Sequence, residues 1–222
     1  MKKLILTIAL VLMATPLFAA VNYDTTTTHY TSGITTSATT GSMMAGMTLK
    51  ATFSDNSTET LIWQDTGGVS GGAIGAKFNM SQNDDTIWNS WYIQNTYANN
   101  FLTDLSIDAG TGSAVFDVPP INAGPGTPDS SGGVAYTGTY IGTYRVPVAI
   151  GLNPWAGDVF RMLTIDFEGA APGLAYEAFH SWNSDTDSLR LNGDIGPNVP
   201  EPATMALLAI GGLTTLKRRR LS

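Results

Sequence analysis

The residues in this sequence best suited to chemistry are its aspartates. Asp185-Thr186-Asp187 sets two carboxylates two positions apart, while Asp84-Asp85, Asp108, Asp117 and Asp158 fall at expected strand ends. Calcium takes six to eight oxygen ligands at about 2.3–2.6 Å, drawn from carboxylates and loop carbonyls. Asp185 and Asp187 on a curled turn would form a candidate cation site of that kind. The competing reading is that aspartate caps turns through local hydrogen bonds. The aspartate repeat of an EF-hand is missing. Carboxylate catalysis is the second candidate. Asp166 and Glu168 share one side of an expected strand, with Glu177 in reach, and glycoside hydrolysis needs two carboxyls about 5–9.5 Å apart. Such pairs are cheap in a chain this rich in acids.

Other chemistries find less to work with. There is no Cys, and His29 and His180 are the two imidazoles, so thiol catalysis, iron–sulfur ligation and a His-rich metal centre are excluded. No Gly-x-Ser-x-Gly elbow occurs, and the glycines of Gly67–Gly75 lack the Lys-Ser/Thr ending of a phosphate loop. Trp63, Trp88, Trp91, Tyr92, Trp155 and Trp182 offer stacking faces for sugar rings, but aromatic residues more often fill a core.

These residues need a scaffold, and the scaffold reads as strands. From Met47 onward the apolar period is two: Met47, Leu49, Ala51 and Phe53 alternate with Thr48, Lys50 and Thr52. Further strands are expected at Glu59–Trp63, Ala73–Met80, Ile87–Thr96, Phe101–Asp108, Ala114–Val118, Ala135–Tyr144, Val146–Leu152, Val159–Phe167, Ala175–Trp182 and Ser188–Leu191. No segment of the body shows a sustained helical period. The expected fold is all-β, an antiparallel two-sheet sandwich of jelly-roll-like type. Residues 21–45 form a Thr-rich stretch, read either as a solvated, O-glycosylated segment or as a polar edge strand, and residues 46–196 form the sandwich domain. The 222-residue chain carries −7, but six of its eleven cations and one of its eighteen acids lie in the end segments. Residues 21–200 therefore hold five cations against seventeen acids, near −12. That surface repels phosphate backbones and excludes nucleic acid as a partner.

The two ends are addresses. Lys2-Lys3, the apolar run Leu4–Met13 and Ala19-Ala20 make residues 1–20 a secretory signal peptide. At the other end, Val199-Pro200-Glu201-Pro202 precedes the apolar run Ala203–Leu216 and then Lys217-Arg218-Arg219-Arg220. As a helix that run rises about 21 Å, short of a hydrocarbon core of about 30 Å, and snorkelling cations and local thinning cover the deficit. The cationic cluster stays on the cytoplasmic side.

Residues 197–222 resemble the PEP-CTERM sorting signal, with its Pro-Glu-Pro motif, short transmembrane helix and basic tail in order. The resemblance implies an exported protein, recognised and processed by an exosortase in the inner membrane and passed to the cell surface or matrix, where exopolysaccharide is a candidate partner. Gly71-Gly72-Ala73, Asp84-Asp85-Thr86, Ile107-Asp108-Ala109-Gly110, Val115-Phe116-Asp117, Gly157-Asp158 and Asp185-Thr186-Asp187 also resemble pieces of the ectodomain seen in such proteins, which carries no activity over. The expectation is a non-catalytic surface protein with no cofactor beyond a candidate calcium ion. A carbohydrate-binding module is the alternative, and a glycoside hydrolase the third reading.

Overall fold

The computed structural model describes residues 20–24, 29–31, 34–119, 133–150, 159–169 and 172–191. In chain order its strands are β1 (Val21–Tyr23), β2 (His29–Thr31), β3 (Ile34–Ala38), β4 (Thr48–Phe53), β5 (Thr58–Ile62), β6 (Gln64–Gly67), β7 (Ser70–Ile74) and β8 (Phe78–Asn83). They continue with β9 (Trp91–Asn95), β10 (Leu102–Asp108), β11 (Ala114–Asp117), β12 (Ile141–Ile150), β13 (Val159–Asp166), β14 (Phe179–Trp182) and β15 (Asp185–Leu191). Short 3₁₀ turns occupy Gly41–Met44 and Ala109–Gly112. Residues 1–19 of the expected signal peptide, Trp155, Asp158 and the C-terminal sorting segment lie outside the described residues. Among the described residues no helix is long and apolar enough to cross a membrane.

The strands form two sheets. The larger runs β3-β15-β11-β13-β10-β4-β5, with β12 on the other side of β13 and β1 and β2 lying parallel to β12. The smaller runs β14-β9-β8-β7-β6. Their inner faces share one core. Leu49, Phe53, Leu105, Ile107, Leu163 and Ile165 of the larger sheet meet Phe78, Met80, Trp91, Ile93 and Trp182 of the smaller. The period-two reading holds well in β4, where Leu49, Ala51 and Phe53 are buried and Thr48, Lys50 and Thr52 point away. Trp63, Trp91 and Trp182 form a row at the centre, Trp63 tilted by 53° against Trp91 at 5.4 Å and Trp182 stacked on Trp91 at 6.2 Å.

A buried polar chain joins the two sheets. The Trp91 indole N–H donates to Ser184 O at 2.8 Å, Ser184 Oγ lies 2.8 Å from the Tyr144 hydroxyl, and the Tyr136 amide donates to that hydroxyl at 2.7 Å. Burial pushes the Tyr144 phenol well above its usual range, so the group stays a neutral link.

Several segments depart from the pattern read in the sequence, each for a local reason. Ala73–Met80 is two strands, β7 and β8, because the Glu59 carboxylate accepts from the amides of Ala76, Lys77 and Phe78 and clamps a hairpin there. Ile87–Thr96 shortens to β9, since Asp85 Oδ1 takes the Ile87 amide at 2.8 Å and turns the chain. The two strands expected across residues 135–152 are one, β12, which begins at Ile141 and runs through Val146 at φ +59° just before Pro147. In β13, Leu163 and Ile165 face the main core, but so does Phe160, while Val159 joins a separate cluster with Val115 and Val148. The switch falls where β13 passes from β10 to β11, between which the Ala109–Gly112 turn intervenes. Part of the Thr-rich stretch is sheet: β1 and β2 pair with β12, and β3 forms the edge beside β15.

Candidate functional site

Asp185 and Asp187 do not sit on a turn. They lie on β15, where the two-residue repeat of an extended chain turns both side chains to one face. β11 supplies the third acid. The antiparallel register places Asp117 opposite Asp185 and Val115 opposite Asp187, so the three carboxylates converge on one patch of sheet. Each is at most 1% exposed, and one oxygen from each lies within 4.8 Å of the others.

The residue between the two acids faces the other way and fixes their positions. Thr186 Oγ1 lies 2.8 Å from Thr39 Oγ1 and donates to Met44 Sδ at 3.1 Å, and the Thr186 amide donates to Thr86 Oγ1 at 3.0 Å. Thr86 Oγ1 also lies within donating distance of Asp185 Oδ1 at 2.8 Å and of Thr186 O at 3.1 Å. The Asp185 amide donates to Val134 O at 2.8 Å. The other carboxylate oxygen, Asp185 Oδ2, is buried without a hydrogen-bond partner among the described residues. Burial pushes the Asp185 carboxyl up to about 8; the Thr86 hydroxyl opposes the shift, and the charges of Asp187 and Asp117 add to it.

The remaining acids scatter. Asp84 and Asp85 shape the turn after β8, and from that triplet it is Thr86 that reaches the carboxylate cluster. Asp108 is held by Arg161 through two bonds of 2.7 Å. Asp166 lies opposite Asp104 in an open groove of about 380 Å³, beside Glu168. Asp166 Oδ1 accepts the Glu168 amide at 2.8 Å, so the pair forms a local turn. Burial and the Asp166 charge raise the Asp104 carboxyl above its usual range. Glu177 lies apart from this groove, its amide donating to Asn95 O at 2.8 Å in the turn before β14.

His180 is buried on β14, its Nε2 3.0 Å from the Tyr136 hydroxyl and its ring among Tyr140, Phe167 and Trp182. Burial pushes its imidazole down to about 4. Of the aromatic residues offered as sugar platforms, Trp63, Trp91 and Trp182 are core, whereas Trp88 and Tyr92 are exposed. The sequence offered Asp117 only as one strand-end acid among several, because its approach to Asp185 depends on the register of β11 against β15. Thr86 was visible only as the third member of its triplet.

Residues 198–220 match the family model of the PEP-CTERM protein-sorting motif. The chain therefore carries that motif at its C-terminal end. Searches of curated proteins and of solved structures give no match.

Proposed function

From the PEP-CTERM motif at residues 198–220, we propose that this chain is an exported, non-catalytic protein of the bacterial surface or extracellular matrix. In this reading residues 1–20 are removed on export, Ala203–Leu216 holds the chain transiently in the inner membrane, and Lys217–Arg220 stays cytoplasmic. An exosortase then recognises Val199-Pro200-Glu201-Pro202 and processes the tail. The body delivered to the surface is the β-sandwich, bounded near residues 46–196 with the Thr-rich stretch built into its edge. Chain crossings between sheets at β5–β6, β9–β10, β13–β14 and β14–β15 support a jelly-roll-like winding, from which the β6–β9 meander departs.

The motif is the observation that carries the proposal. The surroundings of the catalytic carboxylates are in keeping with it: Asp166 is engaged with the Glu168 amide in a local turn, and Glu177 lies apart from them. Exopolysaccharide is the matrix partner we propose. A carbohydrate-binding module remains the second reading, supported by Tyr92 and Phe179, which are exposed on adjacent strands of the smaller sheet. Replacing Arg218, Arg219 and Arg220 with Ala tests the sorting reading. The variant should accumulate unprocessed in the membrane fraction of a host that has an exosortase. Unchanged processing and surface delivery would overturn the proposal. Retardation in a gel containing host exopolysaccharide, lost in Tyr92→Ala and Phe179→Ala, would favour the second reading.

A further inference from the structure

We propose that Asp117, Asp185 and Asp187 bind one divalent cation of the calcium class, clamping β11 to β15. The donor geometry fits. Two oxygens on opposite sides of an ion at about 2.4 Å stand about 4.8 Å apart, and the three carboxylate oxygens lie within 4.8 Å of one another. A second observation points to a ligand independently of the clustering. Asp185 is fully buried, Thr86 engages its Oδ1, and its Oδ2 has no hydrogen-bond partner among the described residues. A buried carboxylate oxygen left without a donor costs free energy that a bound cation removes.

Donor chemistry narrows the ion. The cluster offers only hard carboxylate oxygens, the chain has no Cys, and His180 is engaged with Tyr136. Such a set suits calcium, magnesium or manganese rather than copper or zinc. Magnesium keeps several waters in a tight octahedron, whereas calcium accepts irregular shells of protein oxygens, and residues at most 1% exposed favour the second arrangement. Bridging opposite strands, the ion would fix the β11–β15 register and with it the edge formed by β3. Thr86 acts as a positioning residue, orienting the Asp185 carboxylate through Oδ1. The alternative is a cluster neutralised by protons alone, and the experiment separates the two.

The purified chain, stripped with chelator, is titrated with calcium chloride and separately with magnesium chloride while thermal unfolding is followed. Calcium at a hundredfold excess over its dissociation constant should raise Tm by about 5–10 °C. The response should be reduced at least tenfold in apparent affinity in Asp117→Asn and Asp185→Asn, and kept in Asp108→Asn, which alters a half-buried acid outside the cluster. Should the cluster variants fail to fold, terbium luminescence excited through tryptophan and displaced by calcium reads the same site in the unaltered chain. No Tm shift at millimolar calcium, an equal response to magnesium, an undiminished response in Asp185→Asn, or terbium emission that calcium does not displace would each overturn the proposal.

Discussion

Acid should weaken this fold through His180 before most of its carboxylates titrate. The ring is 7% exposed, stacked 5.5 Å from Trp182 and set edge-on to Tyr140 and Phe167 at 4.8 and 5.8 Å. Its Nε2 lies 3.0 Å from the Tyr136 hydroxyl, which can donate only while that nitrogen is unprotonated. Burial holds the imidazole near 4 against 6.5 when exposed. Because the folded value is the lower one, the unfolded chain takes the proton first. The contribution is intact above pH 6.5 and is lost as pH falls from there towards 4. One unit of separation is about 1.4 kcal/mol, so the full loss approaches about 3 kcal/mol, of which about 2 kcal/mol is gone by pH 5. Urea unfolding at about pH 7.5 and about pH 5 should be compared between the unaltered chain and His180→Gln, which removes the titration. The unaltered chain should lose about 2 kcal/mol more than the variant over that interval. Equal losses, or ring protons that titrate near 6.5 by NMR, would refute the reasoning.

Three further outcomes follow from the packing. Gly71→Ala should cost about 2–5 kcal/mol by urea denaturation, since a Cβ there meets Gly41 O and the Trp63 indole nitrogen and breaks their 2.8 Å hydrogen bond; an unchanged midpoint would mean the approach is looser than described. Trp91→Ala should cost about 3–5 kcal/mol or prevent folding, because it empties the middle of the tryptophan row and strands Ser184 O. Arg161→Ala should change stability by no more than about 1 kcal/mol despite its two-pronged contact with Asp108, since the arginine side chain is 42% exposed; a loss of several kcal/mol in the same denaturation assay would contradict this.

The sequence disclosed the fold where burial is one-sided. In β4, and in β10 from Thr103 onward, every second residue is buried, so the alternation could be read directly. It failed where a distant side chain sets the backbone: Glu59 makes the β7–β8 turn, and nothing within Ala73–Met80 announces that clamp. Strict alternation also breaks in β13, because the interruption between β10 and β11 carries Phe160 into the core beside Leu163 and Ile165. The tryptophans show the same limit. Trp88 and Trp91 are three residues apart, yet one is 81% exposed and the other fully buried, a difference set by the turn at Asp85. Asp185 and Asp187 were legible as a pair, but their place on a strand and their third partner, Asp117, come from strand register. The sorting tail was legible because its three parts are contiguous in sequence and need no fold to align them.

The most direct test of the sorting account is the intact mass of the mature protein, recovered from the envelope and culture medium of a host with an exosortase. The account predicts a chain lacking both residues 1–20 and the segment beyond Pro200. A mature mass that retains Ala203–Ser222 would contradict it, and would make the tail a lasting membrane anchor.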